Sequence, residues 1–221
     1  MDHIVQNKVD GFFSKYPLIS INKSSIIMRP KDYGDFVFKI DQGRVIQYDI
    51  SNDGSKIVLN VFKAPAYFPM SWAINKTNDN YFFEAHSDCK VRRAPLTESI
   101  KFIKNNPDVM YDLLGRLYSG IDGMQRRNVY FANGSAMQRM IYEVILMATR
   151  FGDFNSNKVL TIPFSEQDIA HNSGLTRETV NREISKLKKL NLLTVEKKLL
   201  HIQSVENLDN YLKDSSPINK K

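Results

Sequence analysis

The chain has 221 residues, 42% of them hydrophobic and 25% charged, with a formal net charge of +7. That length allows one or two domains with real cores, and the basic excess favours a polyanionic partner. A single cysteine, Cys89, excludes an intramolecular disulfide, no stretch approaches a membrane span, and residues 1–30 hold no apolar run of signal-peptide length, so a soluble protein of the reducing cytoplasm is expected, with no membrane partner.

Residues 1–16 mix polar positions with Ile4, Val5, Val9, Phe12 and Phe13, which predicts a short leading helix. From Ile19 to Arg93 the pattern turns to short apolar or alternating runs. Ser24–Met28, Phe36–Ile40, Arg44–Ile50, Lys56–Phe62 and Tyr81–His86 are predicted strands, punctuated by turns at Asp41-Gln42-Gly43 and Ser51-Asn52-Asp53-Gly54-Ser55. A small antiparallel barrel or sandwich follows.

Thr97–Lys104 and Val109–Phe131 return to helical periodicity, with Asn106-Pro107-Asp108 opening the longer helix. Along it Met110, Leu114, Leu117, Ile121, Met124, Asn128 and Phe131 alternate spacings of four and three, a heptad seam whose expected partner is a second copy of the chain, the alternative being a helix that covers the β-roll of its own chain. Asn128 takes an a-type position, where a buried amide fixes register. Gly115, Gly120 and Gly123 weaken the helix, each by about 1 kcal/mol relative to Ala. Asn133-Gly134-Ser135 is the expected break, domain boundary and hinge, which divides the chain into residues 1–108, 109–132 and 133–221. Beyond it Met137, Ile141, Val144, Ile145 and Ala148 form the apolar face of a further helix. A loop at 154–157 and a strand at Val159–Pro163 come next.

Residues 165–190, SEQDIAHNSGLTRETVNREISKLKKL, carry the most information. Ser165 caps a helix expected to end near His171; Asn172, Ser173 and Gly174 break the pattern, and Thr176 caps a second helix. In that helix Val180, Ile184, Leu187 and Leu190 fall on one buried stripe. Arg177, Glu178, Asn181, Arg182, Ser185, Lys188 and Lys189 lie opposite. Helix, glycine-containing turn, helix is the arrangement that places a second helix in the major groove, where Arg pairs with guanine, Glu accepts from cytosine and Asn pairs with adenine. The same pattern also describes an ordinary helical hairpin with a solvated face. Leu193–Val195 and Leu199–Ile202 flank Glu196-Lys197-Lys198, a hairpin with a basic tip, which makes the expected domain a winged helix. Between Ser173 and Lys198 seven Lys and Arg stand against three Glu, so more than half the net charge sits here. Arg177, Glu178, Asn181 and Arg182 are the candidate base readers; Ser165, Thr176, Thr179, Lys186, Lys188, Lys189, Lys197 and Lys198 are the candidate phosphate contacts. Residues 213–221 read as a frayed tail.

TRETVNREISKL resembles the recognition segment of the CRP/FNR family of bacterial transcription regulators, and Arg177-Glu178-Thr179-Val180-Asn181-Arg182 is similar to that of the catabolite activator branch. The resemblance implies that Arg177, Glu178 and Arg182 read a half-site close to TGTGA, while Asn181 departs from the glycine usual at its position. GDFVFKIDQGRVIQYDISNDGSKIVLNVF looks like the sensor β-roll of the same family. The implied fold class is α+β: an N-terminal antiparallel β-roll of cupin-like or cyclic-nucleotide-binding-like type, a long dimerisation helix and a C-terminal winged helix-turn-helix domain. The implied partners are double-stranded DNA, a second copy and RNA polymerase.

The cyclic-AMP cassette of such regulators has a Gly-Glu pair followed by Arg and Ser or Thr. By ungapped alignment Phe68-Pro69 and Asp79-Asn80 stand in those places, and Met124-Gln125 stand where a Thr-Ser pair meets the purine. Cyclic AMP is therefore not expected to bind by the usual mode. One cysteine is too few for an iron–sulfur cluster and Cys89 reads as a small packed residue. His3, His86, His171 and His201 form no close pair, so no metal and no cofactor is expected. Tyr67, Phe68, Trp72, Tyr81 and Phe83, with Met124 and Gln125, are the candidate effector pocket; the aromatic concentration also reads as β-roll core. No enzyme motif is present. The competing functions are a cupin-like or small-molecule-binding protein, for which the β region offers one histidine, His86, and a regulator without effector, controlled by its abundance.

Overall fold

Apolar residues four apart open the chain: Val5, Val9 and Phe13 are buried along α1 (His3–Phe13), and the Asp2 side chain accepts from the Ile4 N–H at 3.4 Å to cap it. The computed structural model describes residues 2–32, 34–52, 54, 56–75, 80–154, 159–163 and 165–214. After α1 come β1 (Leu18–Ile21), β2 (Ile26–Met28), β3 (Phe36–Gln42), β4 (Arg44–Ile50), β5 (Lys56–Lys63), β6 (Ala66–Phe68), the short helix α2 (Met70–Asn75), β7 (Phe82–Ala85) and β8 (Cys89–Pro95). They form two antiparallel sheets, β1-β8-β3-β6 and β2-β7-β4-β5.

Strand alternation sends one face of each sheet inward. Ile40, Phe68 and Val91 from the first sheet meet Met28, Val45, Phe83 and Ala85 from the second, and the Phe68 and Phe83 rings stack with centroids 5.2 Å apart. The other face of the first sheet supplies Val37, Tyr67 and Ala94 to a separate cluster under α1 and α3 (Leu96–Asn105). Lys39 points to this side as well. It is 6% exposed, and it pairs with Asp10 of α1 at 2.6 Å and with Asp41, which also holds Arg92 at 2.8 Å. The tight link from β3 to β4 requires Gly43, at φ +96, because a Cβ there would come within 2.4 Å of the Asp88 carbonyl oxygen.

The five predicted strands are present. The sequence missed β1, β6, β8 and α2. β8 has buried Cys89, Val91 and Ala94 among Lys90, Arg92 and Arg93; the charges interrupt the apolar signal, and Arg92 is satisfied by partners distant in sequence, the Asp41 carboxylate at 2.8 Å and the Tyr16 carbonyl at 2.7 Å.

α4 (Pro107–Asn133) is one helix despite its three glycines, and Val109 is its buried residue. α5 (Ala136–Phe151) starts at a reciprocal capping box, with Ser135 accepting from the Gln138 N–H and the Gln138 side chain accepting from the Ser135 N–H. Then follow β9 (Asp153–Phe154), β10 (Leu160–Pro163), α6 (Glu166–Ser173), α7 (Arg177–Lys189), β11 (Leu193–Glu196), β12 (Leu199–Ile202) and α8 (Val205–Asp214), with the strands in the antiparallel order β11-β12-β10-β9. Met140, Ile141, Val144, Ile162, Ile169, Val180, Ile184, Leu187, Leu193, Leu200, Leu208 and Leu212 close one core around them. α8 replaces part of the expected tail: Leu208 and Leu212 are fully buried, and 215–221 lie outside the described residues. The expected 154–157 loop begins at the last residue of β9, and its remainder also lies outside them.

The chain divides into two compact units, Met1–Leu117 and Tyr118–Lys221, so the division falls inside α4. The break at Asn133-Gly134-Ser135 lies within the second unit, and contacts cross it: the Tyr142 hydroxyl donates to the Gly123 carbonyl at 2.8 Å, the Tyr130 and Tyr142 rings lie 5.1 Å apart, and Arg127 pairs with Glu143 at 2.6 Å.

Candidate nucleic-acid interface

Two capped helices and one left-handed glycine build the helix-turn-helix. The Ser165 hydroxyl accepts from the Asp168 N–H at 3.2 Å to start α6. The helix runs two residues past His171, through Asn172 and Ser173, because Ser173 is buried with its hydroxyl donating back to the Ile169 carbonyl at 2.5 Å. Gly174 alone makes the break, at φ +63, ψ +35. The Thr176 hydroxyl then accepts from the Thr179 N–H at 3.2 Å and α7 begins at Arg177.

Val180, Ile184 and Leu187 are fully or nearly fully buried, which orients α7. Leu190, expected on the same stripe, lies beyond the helix end and is 51% exposed. The opposite face presents Arg177, Glu178, Asn181, Arg182, Ser185, Lys188 and Lys189 to solvent, with Thr179 half-buried at its edge. The four candidate base readers thus share the N-terminal half of one exposed helix face.

Their charges are already partnered. Arg177 pairs with Glu166 of α6 at 3.2 Å with 61% of its side chain exposed, an ion pair worth about 0–1 kcal/mol and easily exchanged. Glu178 is held below the usual carboxylate range by its own backbone N–H and the Thr176 hydroxyl, so it remains a hydrogen-bond acceptor at neutral pH. Burial alone would push Glu183 up, but hydrogen bonds from Lys186 and Arg182 outweigh it and hold the carboxyl low. Lys186 donates to both Glu183 oxygens, at 2.9 and 2.8 Å, whereas Arg182 donates at 3.1 Å. Both cations therefore share one buried acid, yet the side chains of Lys186 and Arg182 stay 55% and 64% exposed, so each keeps a surface open to solvent. Glu166 and Glu183 were not among the sequence candidates. The first acts across eleven residues and has no local signal; the second lies three residues before Lys186, a spacing that was readable.

The hairpin of β11 and β12 closes with Lys197 and Lys198 as the two turn residues, between the paired Glu196 and Leu199. Both lysines have positive φ, +47 and +63, and both are exposed. Two-residue hairpins of this hand favour Asn-Gly, and non-glycine residues there cost on the order of 1 kcal/mol each. The wing therefore places two cations at its tip against local preference.

The seam residues of α4 are exposed in the single chain: Met110, Leu114 and Leu117 in the first unit, Ile121, Met124, Asn128 and Phe131 in the second. The candidate effector residues do not form one group. Phe68 and Phe83 are sealed between the two sheets, while Tyr67, the next residue along β6, belongs to the cluster under α1 and α3. Trp72 donates its indole N–H to the Gly34 carbonyl at 2.7 Å, Tyr81 is half-buried, and Met124 and Gln125 are exposed on the part of α4 that belongs to the second unit. Asp79 lies outside the described residues. The Cys89 thiol is buried, bonded to the carbonyls of Arg44 and Ser87, and pushed up by burial. Among the described residues no three His, Cys, Asp or Glu converge on a metal position, and no helix is long and apolar enough to cross a membrane.

Residues 138–211 match the family described as the Crp-like helix-turn-helix domain. Over 167 residues the chain is 26% identical to the nitrogen fixation regulation protein FixK of Rhizobium meliloti, covering 74% of this chain and 72% of that one. It is 20% identical over 191 residues to a probable transcriptional regulator, flp, of Lacticaseibacillus casei, covering 86% and 85%. In structure it superposes on a CRP/FNR-family transcriptional regulator of Thermus thermophilus with a TM-score of 0.70 at 17% identity, covering 90% of this chain and 100% of that one. FixK2 of Bradyrhizobium japonicum gives a TM-score of 0.65 at 19% identity, covering 88% and 96%.

Proposed function

Because this chain carries a Crp-like helix-turn-helix domain and has the fold of the CRP/FNR regulators, we propose that it is a homodimeric, sequence-specific transcription regulator of the cytoplasm. The observation that carries this reading is the exposed N-terminal face of α7, with Arg177, Glu178, Asn181 and Arg182 side by side above a buried apolar stripe. Arg177 and Arg182 pair with guanines, Glu178 accepts from a cytosine amine and Asn181 reads the neighbouring position, on half-sites close to TGTGA. Lys186, Lys188, Lys189, Lys197 and Lys198 meet phosphates. Ser165, Thr176 and Thr179 add hydroxyl contacts to the backbone beside them.

The α4 seam pairs two copies, so that two recognition helices enter successive major grooves about 34–36 Å apart on a palindromic site. In this reading residues 1–108 form the sensor, 109–132 the dimer helix and 133–221 the DNA-binding part, and RNA polymerase is a further partner by likeness to the family. Cyclic AMP is not the effector in its usual mode: Phe68 stands at the place of the cassette glycine and is sealed in the β-roll core.

Selection of sequences from a random duplex library by the purified protein, with no added ligand, tests the reading. A two-fold symmetric motif with TGTGA-like half-sites is the expected product. Recovery of no motif both without additives and with a cell extract overturns it.

A further inference from the structure

Arg127 stands on the part of α4 that belongs to the second unit and makes contacts in three directions. Its Nε meets the Glu143 carboxylate of α5 at 2.6 Å, and its Nη2 donates to the main-chain carbonyl of Asn172 at 2.9 Å. The guanidinium also lies over the Phe131 ring, 5.2 Å from its centroid. Glu143 is 3% exposed, so Arg127 is the bonded cation of a buried acid, with Arg150 a second positive charge beside it.

The carbonyl of Asn172 is among the last four of α6, which have no acceptor role within the helix and need an outside donor. The turn itself is close by: a Cβ on Gly174 would touch the Phe131 ring at 3.4 Å. One planar fork therefore ties α4, α5 and the end of α6 together immediately before the turn that aims α7. A guanidinium holds a carboxylate and a carbonyl with donors on separate nitrogens of one rigid plane, whereas an ammonium's donors share a single rotatable atom.

We infer that Arg127 is a positioning residue for DNA recognition, fixing the recognition helix relative to the dimer helix through the Glu143 carboxylate and the Asn172 carbonyl. The inference rests on the proposed dimer reading, because only in a dimer does the direction of α7 relative to α4 set the distance between two reading heads.

Full-length wild type, Arg127→Gln and Arg127→Lys test it, on duplexes carrying two copies of the half-site recovered by selection with the spacer varied one base pair at a time. Single half-site binding and thermal unfolding are measured alongside. The wild type is expected to favour one spacing sharply. Arg127→Gln is expected to lower that preference by about fivefold or more while still binding a single half-site. Arg127→Lys keeps the charge beside Glu143 without the fork and is expected to fall between them; it also carries the test if the Gln variant fails to fold. A role confined to stability would lower the melting temperature and leave the spacing preference intact, and that result in either folded variant overturns the inference. A wild type that recovers no paired half-sites, or shows no spacing optimum, overturns the dimer reading instead, and the inference with it.

Discussion

Two turns in the winged-helix unit ask for the same left-handed backbone and receive opposite residues. At the turn between α6 and α7 the chain supplies Gly174, at φ +63, the one residue without a steric cost there. At the wing tip it supplies Lys197 and Lys198, at φ +47 and +63, where glycine or asparagine would fit better. In the first turn local preference and tertiary demand agree; in the second they conflict, and the conflict places two exposed charges at the wing tip, the pair proposed above to meet phosphate. A position that breaks a local rule without a packing reason is a mark of function.

The contrast is sharpest at the glycine. Gly174→Val forces a β-branched residue into left-handed backbone and presses it on Phe131, for an expected loss of about 2–3 kcal/mol in stability, read by denaturant unfolding. Unchanged stability would mean that the turn relaxes and that its conformation does not demand glycine. Arg177→Ala is expected to cost about 1–3 kcal/mol on the selected site and to relax preference at one base, read by titrating matched and mismatched duplexes. Equal weakening on all sequences would remove Arg177 from the base readers. Lys198→Gly turns the wing tip into its locally preferred form, with an expected gain of about 1 kcal/mol in stability and weaker binding to every duplex. Its log–log salt dependence should become shallower by about one. A variant that is more stable and binds as tightly would show that the tip touches no phosphate. Leu190→Ala is the small end of the series: half-exposed past the end of α7, it is expected to shift stability by less than about 0.5 kcal/mol.

Legibility followed the distance over which a residue is satisfied. Ser165, Gly174, Thr176 and the 180–184–187 stripe act within one or two helical turns, and their roles could be read directly from spacing. β4 was legible to the residue because alternation and a turn bound it on both sides. β8 was not, since its charged face depends on Asp41, fifty-one positions before Arg92. The same limit hid Glu166 as the partner of Arg177 and Arg127 as the partner of Asn172. Three glycines in α4 counted against a continuous helix, yet a Cβ at Gly115, Gly120 or Gly123 would meet nothing within 4 Å. These glycines therefore lower helix propensity without marking a bend.

The position of the division inside α4 bears on how the molecule can be taken apart. A fragment starting at Gly134 looks natural in sequence, but it would leave the Glu143 carboxylate without its salt bridge to Arg127, the Asn172 carbonyl without its donor and the Tyr142 hydroxyl without Gly123. A piece that begins at Tyr118, where the second unit starts, keeps those groups satisfied, so transplanting the helix-turn-helix onto another protein means carrying half of α4 along with it.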